Sequence, residues 1–251
     1  MKLQYCSDLH LEFKENKDFL KINPLQPIGD ILLLAGDIVP FEIMEREKAF
    51  FDFCSANFKH TFWIPGNHEY YYYSSFKNGR LAENIRNNVT LLNNQVIKLD
   101  GVRLIFTTLW SHISAKNQWY IQKRLSDFHV IKYNGEKFTP QHYNQLHEAA
   151  LEFLTTSIAK KFNGKTIVVT HHVPTFLNYP EQYKSDTLNE AFATELFDTI
   201  EKSKIDYWIY GHHHTNTPAF KIGNTMLLTN QLGYVQNDEH KQFNPEALIS
   251  L

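Results

Sequence analysis

Cysteine is scarce in this chain of 251 residues, which contains only Cys6 and Cys54. Two isolated thiols, one in an apolar run and one in an amphipathic segment, are typical of small buried side chains in a reducing compartment. The sequence also lacks an apolar run approaching the roughly 20 residues that a membrane-spanning helix requires. We therefore expect neither a disulfide-stabilised scaffold nor a membrane protein.

An excess of charge of either sign is also missing. The chain has 25 Lys and Arg against 27 Asp and Glu, a formal net charge of −2 and a pI near 6.7. Binding to a nucleic-acid backbone needs a basic surface, so we expect no dedicated nucleic-acid surface. A ligand-type residue already stands at Asp8, whereas a signal peptide would need roughly 15 to 30 residues ahead of it. We expect a cytoplasmic protein.

Histidine, by contrast, is abundant and clustered. Seven of the 13 histidines, two aspartates and one asparagine lie in five short segments, each directly after an apolar run. Ligands of α/β sheets gather outside the carboxyl ends of the strands, so the five segments predict one site. Because they extend over most of the chain, we expect a single domain over residues 1–251. The segments are Asp8-Leu9-His10, Gly36-Asp37, Gly66-Asn67-His68-Glu69, His171-His172 and Gly211-His212-His213-His214.

The apolar runs alternate with stretches long enough for helices. The runs near residues 1–6, 31–35 and 61–64 are nearly continuous, as in strands that are buried on both faces. Aromatic residues at helical spacing predict a helix within Glu42–Phe58, and Ser75–Asn87 predicts a second, weaker helix. Two turn signals, Asp100-Gly101 and Gly223-Asn224, predict hairpins. The paired strands would be Val96–Leu99 with Val102–Thr107, and Thr217–Ile222 with Thr225–Leu228.

The clearest helix begins at Thr139-Pro140, with Thr139 as the N-cap and Pro140 at the first helical position. Asn163-Gly164 predicts where it stops. Its predicted apolar stripe is Leu146, Ala149, Ala150, Phe153, Leu154 and Ile158.

Two stretches, residues 111–139 and Val173–Leu188, have no clear period and predict irregular excursions. A helix bearing Phe192, Leu196 and Ile200 is predicted after the second stretch. The order of elements predicts an α/β protein of α+β character, with a mixed sheet or two stacked sheets and helices outside.

The five segments suit phosphate ester hydrolysis. Two divalent ions roughly 3.5–4 Å apart can activate a bridging water and clamp the phosphate oxygens. A bridging ligand must be an anion with lone pairs to share, and Asp37 is the natural candidate. Asp8 and His10 are two residues apart and can chelate one ion together, and His212 and His214 share that spacing.

The chain carries, in order, the motifs D-x-H, G-D, G-N-H-E, H-H after a Val-rich strand, and G-H-x-H. In this combination it resembles the calcineurin-like metallophosphoesterases over essentially its whole length. The resemblance implies a four-layer α/β/β/α sandwich of two mixed sheets flanked by helices, with the metal site at the carboxyl ends of the strands. It also implies that a metal-bridging hydroxide attacks phosphorus in line.

The resemblance assigns roles to individual residues. It implies that His68 is a catalytic residue, which binds the phosphate and protonates the leaving oxygen, and that Asp37 bridges two ions. The other implied ligands are Asp8, His10 and His214 for one ion, and Asn67, His171 and His212 for the other. Mixed Asp, Asn and His donors suit two ions of Mn, Fe or Zn better than Mg.

Softer likenesses point to a bacterial-type subgroup of these enzymes. They lie in Thr108-Leu109-Trp110, Ser126-Asp127-Phe128 and residues 230–234. That subgroup would be expected to have an Arg before the Gly-Tyr pair, where this chain has Leu232. The role of such an Arg is therefore open here.

Four further residues have two readings each. His172 and His213 adjoin ligand candidates and would contact substrate or a ligand, or else be solvated, while His213 should point away from its two neighbours. His112 follows a strand end and would line the pocket or lie on the surface. Glu69 would orient a ligand or merely cap the following turn.

The irregular stretches are expected to wall the substrate pocket, because loops usually carry recognition. The residues that would offer apolar or stacking surface are Trp110, Trp119, Tyr120, Phe176 and Tyr179, and Lys123 and Arg124 would meet a second anionic group. We expect a small organic phosphate as substrate. The alternatives are a nuclease or nucleotide phosphodiesterase of the same family, or a non-catalytic scaffold on the same fold. Monoester and diester stay open, as does the oligomeric state.

Overall fold

The computed structural model describes residues 1–73 and 80–251. The strands are β1 (Lys2–Cys6), β2 (Ile31–Ala35), β3 (His60–Ile64), β4 (Leu81–Arg86), β5 (Val89–Asn93), β6 (Gln95–Leu99), β7 (Val102–Thr107), β8 (Lys132–Tyr133), β9 (Glu136–Lys137), β10 (Lys165–Thr170), β11 (Tyr207–Tyr210), β12 (Phe220–Ile222), β13 (Thr225–Thr229) and β14 (Leu248–Ser250). The helices are α1 (Lys14–Ile22), α2 (Lys48–Asn57), α3 (Gln118–Arg124), α4 (Asp127–Val130), α5 (Pro140–Ala159) and α6 (Phe197–Glu201).

Two sheets of six strands have the same plan. The first has the order β14-β1-β2-β3-β5-β4 and the second the order β12-β13-β11-β10-β7-β6. In each sheet the four central strands are parallel and both edge strands are antiparallel to their neighbours. The edge strands β4, β6 and β12 are joined to their neighbours by tight hairpins, and the fourth edge strand, β14, is the last strand along the chain. The central parallel strands therefore deliver their carboxyl ends to one edge of each sheet.

Alternation along the strands sorts the core into three layers. In β2, Ile31, Leu33 and Ala35 face the second sheet, whereas Leu32 and Leu34 face the helices on the other side. The second sheet repeats this pattern, with Ile167 and Val169 turned inward and Val168 packed under α5 and α6. The expected four-layer α/β/β/α sandwich of two mixed sheets is confirmed.

The predicted helix over Ser75–Asn87 is wrong for the part of it that can be compared. Residues 81–86 form β4, which pairs antiparallel with β5, and residues 75–79 lie outside the described residues. Leu81 is buried while Ala82, Glu83 and Asn84 are exposed, as an edge strand allows. The helical pattern rested on only two apolar residues, so the cross-strand pairing with β5 determined the structure.

The helix that begins at Thr139-Pro140 is confirmed, and the Thr139 hydroxyl accepts a hydrogen bond from the backbone N–H of His142 at 3.3 Å. It ends at Ala159, before Asn163-Gly164. Its buried face is rotated from the predicted stripe, because Tyr143 and His147 are buried and Ala149 is exposed.

The helix predicted within Glu42–Phe58 is confirmed as α2, which a 3-10 helix (Phe41–Glu47) precedes. The helix predicted to bear Phe192, Leu196 and Ile200 is confined to Phe197–Glu201. Just before this helix, Ala193 forms a parallel bridge with Val173, and the N–H of Val173 donates to the carbonyl of Phe192 at 3.1 Å. This pairing keeps Phe192 and Ala193 out of the helix.

Both predicted hairpins are present, as β6-β7 and β12-β13. The stretch over residues 111–139 holds two short helices and a two-residue ladder, α3, α4 and β8-β9. Among the helices of the described residues, none has the length and apolar character that crossing a membrane takes.

Candidate metal centre

The five histidine-rich segments leave β1, β2, β3, β10 and β11, and the structure brings them together. In a first cluster, His10 Nε2 lies 3.0 Å from His214 Nε2, and His214 Nε2 lies 3.3 Å from Asp8 Oδ1. Both Asp8 and His10 are fully buried. Two chain segments that are distant in sequence thus present a carboxylate and two imidazoles to one point.

A second cluster adjoins the first. His171 Nε2 lies 3.3 Å from both Asp37 Oδ2 and Asn67 Oδ1, and His212 joins the same group. Asp37 Oδ2 is also 3.8 Å from His10 Nε2, so this carboxylate faces both clusters. All seven predicted ligands are therefore collected, with Asp37 in the middle.

The far side of each imidazole is held by an acceptor. His10 Nδ1 contacts Glu12 Oε1 at 3.0 Å, and His214 Nδ1 contacts Glu239 Oε2 at 2.8 Å. A ring nitrogen that donates to a carboxylate carries the proton, which leaves the other nitrogen with a free lone pair. Both Nε2 atoms of the first cluster therefore direct lone pairs at each other.

The second cluster follows the same rule with backbone carbonyls. His171 Nδ1 donates to the carbonyl of Ala35 at 2.9 Å, and His212 Nε2 donates to that of Ala191 at 3.3 Å. The inner nitrogens of both rings then face Asp37 as acceptors. Lone pairs and carboxylates that converge without a hydrogen to share need a cation between them, so this donor set fits two metal ions.

Without a cation the cluster would have to hold protons instead. Burial lowers the pKa of His214, but its hydrogen bonds to Asp8 and Glu239 outweigh this and raise the pKa to about 10. Burial also opposes protonation of His171, whose pKa Asp37 nevertheless raises to about 9. The site is thus strongly attractive to positive charge.

The backbone at the ligands is unusual. Five of the seven predicted ligands have left-handed φ angles: Asp8 (55°), His10 (46°), Asp37 (54°), His212 (81°) and His214 (52°). Such conformations cost non-glycine residues roughly 1–3 kcal/mol each and persist only where the surroundings impose them. The strand ends therefore carry stored strain at the point where they present their side chains.

Two glycines make the close approach of the segments feasible. Gly36 has a φ of 91°, and a Cβ at this position would overlap the His171 ring. A Cβ on Gly66 would overlap Asp37 Oδ1. The glycines of the G-D and G-N-H-E motifs thus leave room for the Asp37 carboxylate and the His171 imidazole.

Glu69, whose role the sequence left open, holds the two loops together. Its carboxylate accepts hydrogen bonds from the backbone N–H of Asp37 (3.0 Å), Ile38 (2.7 Å) and Gly66 (2.6 Å) and from Trp63 Nε1 (3.1 Å). Burial and the nearby Asp37 raise the pKa of Glu69 to about 8. It orients the Asp37 loop and is more than a cap of its own turn.

His68, the predicted proton donor, sits beside the first cluster. Its Nδ1 contacts Glu12 Oε1 at 2.9 Å, and its Nε2 lies 3.2 Å from the Tyr234 hydroxyl. The ring of Tyr71 stacks on it at a centroid distance of 4.0 Å. Burial lowers the pKa of His68, but Asp37 and Glu12 outweigh this and raise it.

Sequence reasoning missed several residues that hold this site. Glu12 serves both His10 and His68, and its position two residues after His10 was the available signal. Asp127 accepts a hydrogen bond from the Asn67 amide at 2.9 Å, and the sequence marks it only as part of Ser126-Asp127-Phe128. Glu239 lies in the tail, where no spacing pointed to it.

The uncertain histidines are placed as follows. His172 is buried, contacts Ser111 Oγ at 2.9 Å and packs on the His212 ring at 4.1 Å. His213 contacts Gln231 Nε2 at 2.9 Å, belongs to neither cluster and lines the pocket described below. His112 is exposed beside His147, so the structure does not bring it to the cluster. Leu232, fully buried in the outer core, adds no charge to the site.

A pocket of about 300 Å³ opens above the clusters. Its walls are Tyr71, Leu125, Ser126, Asp127, Tyr179, Tyr183, Asp186, Leu188, Asn189, Phe192, Tyr234 and Glu239. Both irregular stretches contribute, but Trp119 and Phe176 do not line it. The charges expected there are also engaged elsewhere, because Lys123 stacks on Trp119 and Arg124 on Tyr120.

The model of the calcineurin-like phosphoesterase family matches residues 1–216. The chain belongs to this family, as its motifs indicated. An uncharacterized protein of Acanthamoeba polyphaga mimivirus is 34% identical over 276 residues, which cover 99% of this chain and 96% of that relative. The match to the family ends before the tail that supplies Tyr234 and Glu239.

Two solved structures are similar in fold. The phosphopantetheinyl hydrolase of Mycobacterium tuberculosis superimposes with a TM-score of 0.72 at 16% identity, over 99% of this chain and 95% of that one. A dimetal phosphatase of Danio rerio does so with a TM-score of 0.50 at 13% identity, over 99% and 91%. At these identities the likeness concerns the fold alone.

The buried bonds of Glu69 generate a stability prediction. In Glu69→Gln, one oxygen becomes an NH₂ group that must face two N–H donors. We therefore expect the free energy of unfolding to fall by about 1–3 kcal/mol. Urea denaturation measures this, with the exposed Glu45→Gln as the matched control. An unchanged midpoint for Glu69→Gln would show that the carboxylate does not hold the Asp37 loop.

Proposed function

We propose that this protein is a metal-dependent phosphoesterase. The observation that carries the proposal is that four imidazoles, each held from behind by an acceptor, turn their free nitrogens toward Asp8 and Asp37. Asp8, His10 and His214 would hold one ion, Asn67, His171 and His212 the other, and Asp37 both. The donors suit Mn, Fe or Zn.

Ions bound there would supply a nucleophilic water of lowered pKa and positive charge for the phosphoryl oxygens. His68 has the second task. Glu12 fixes its Nδ1, so its Nε2 is the atom that binds a phosphate oxygen and gives a proton to the leaving oxygen. The stacked Tyr71 and the Tyr234 hydroxyl limit how the ring can turn.

The pocket supports a compact organic phosphate as substrate. Its size suits a small molecule, and its walls are mainly aromatic and aliphatic. Asp127, Asp186 and Glu239 line it above Asp37, whereas no Lys or Arg of the described residues does, so a second phosphate would find no such cationic partner there. We propose that the substrate is a phosphate mono- or diester. We also propose a cytoplasmic location.

Two alternatives are less well supported. A non-catalytic scaffold would be expected to have lost ligands or His68, yet all are present and clustered. A nuclease would need positive charge along a groove, which the acidic pocket rim does not offer. Both remain outcomes of the experiments below.

Metal content tests the shared carboxylate. Purified protein should bind up to two transition-metal ions per chain, and Asp37→Asn should weaken both sites because the bridging anion is removed. Elemental analysis after dialysis measures this, with the exposed Asp198→Asn as control. Normal content and full activity in Asp37→Asn would disprove the bridging role.

Leaving-group dependence tests His68. His68→Ala should retain its metal but lose roughly 10²–10⁴-fold in kcat, the usual contribution of a positioned proton donor. The loss should be smaller for nitrophenyl esters, whose leaving oxygen needs less protonation. The exposed His112→Ala is the control, and equal losses across a series of leaving groups would instead assign His68 to phosphate binding.

A substrate panel separates the small-molecule enzyme from a nuclease. With Mn, kcat/KM should be higher for small mono- or diesters than for a single-stranded DNA oligonucleotide, and Tyr183→Ala should raise KM for the preferred small ester by removing a wall contact. A preference for the oligonucleotide would favour the nuclease. Absence of all turnover in metal-loaded protein would favour the scaffold.

A further inference from the structure

We propose that Asp127 is a positioning residue that sets which atom of the Asn67 side chain faces the second metal ion. The inference rests on the proposed function, because it concerns one of the proposed ligands. None of the contacts that define the two clusters joins Asp127 to an imidazole. Asp127 would therefore act through Asn67.

The contacts fix the direction of the amide. Asp127 Oδ1 accepts hydrogen bonds from Asn67 Nδ2 at 2.9 Å and from the Tyr71 hydroxyl at 2.8 Å. Since this oxygen accepts both bonds, the NH₂ group of Asn67 must turn toward Asp127. Its Oδ1 then points the other way, to within 3.3 Å of His171 Nε2.

An asparagine needs such a partner because its amide has nearly the same shape after a half-turn. The flipped amide would direct N–H groups at the cation and lose the ligand oxygen. The other contact of Nδ2 in the described residues is the Tyr71 hydroxyl at 3.5 Å, and a hydroxyl can either donate or accept. The acceptor at Asp127 is therefore what selects the orientation.

Asp127 is well placed to select it. It is buried at the start of α4, and the next residue, Phe128, packs on Phe138 and Tyr143 within the core. The same carboxylate oxygen also holds the Tyr71 hydroxyl, and the Tyr71 ring stacks on His68. The stretch over residues 111–139 thus completes the metal centre from above and is more than a wall of the pocket.

Calorimetric titration of metal-free protein with Mn²⁺ tests the inference without relying on turnover. Asp127→Ala should weaken one of two sites by about 10- to 100-fold, the usual effect of removing a partner behind a ligand, and leave the other nearly unchanged. Asp198→Ala is the control. Asp198 is an exposed residue of α6 that pairs with Lys202 and lies outside the pocket lining, so both sites should keep their affinity.

Exchange of donor and acceptor gives the sharper test. Asn67→Asp alone sets two carboxylates against each other and should weaken the second site. Adding Asp127→Asn restores a donor and acceptor pair in the reverse sense, so the double variant should bind Mn²⁺ more tightly at that site than Asn67→Asp does. A merely structural role of Asp127 predicts no such recovery. Asp127→Asn alone keeps an acceptor and should lose less than Asp127→Ala.

The outcomes separate the two proposals. Wild-type protein that binds no Mn²⁺ would overturn the proposed function together with this inference. Two ions in the wild type, with both affinities unchanged or equally reduced in Asp127→Ala, would overturn the role of Asp127 alone. Should the alanine variant not fold, the exchange decides, and a double variant no better than Asn67→Asp would overturn the inference.

Discussion

Proton placement on four imidazoles is the constraint on which the site depends. Each ring offers a lone pair to the centre only because an acceptor behind it takes the hydrogen of the other nitrogen. Glu12 follows the first strand, Ala35 ends the second, Ala191 closes a 3-10 turn, and Glu239 lies near the end of the chain. Elements from both sheets and the tail must therefore be in place before the donors point the right way, which makes the centre a property of the whole fold.

The convergence of the candidate ligands could be predicted from sequence because strand ends converge, whereas the residues that support them could not. Asp8, Asp37 and His171 follow apolar runs, and parallel strands carry their carboxyl ends to a common edge. Asp127 and Glu239 reach the site from irregular segments, whose course depends on packing that no local spacing records. The same limit explains the error over residues 81–86, where pairing with a neighbouring strand outweighed a weak helical period.

The pocket walls show where composition misleads. Trp119 and Phe176 are large aromatics of the irregular stretches, yet neither lines the pocket: Trp119 is 68% exposed, and Phe176, at 37% exposure, packs on Tyr179. Tyr179 does line the pocket, together with neighbours such as Leu125 and Leu188. Residue type identifies chemistry well, but which face a loop presents follows from its own anchors, such as Phe128 beneath α5.

The left-handed backbone of the candidate ligands serves the site at the expense of the protein's stability. Asp8, His10, Asp37, His212 and His214 occupy conformations that only glycine adopts freely. Glycine at any of these positions would relax the chain locally and remove a ligand in the same step. Selection for stability alone would therefore erode this centre, and directed evolution that screens only for heat tolerance would be expected to yield hardier variants that no longer bind metal.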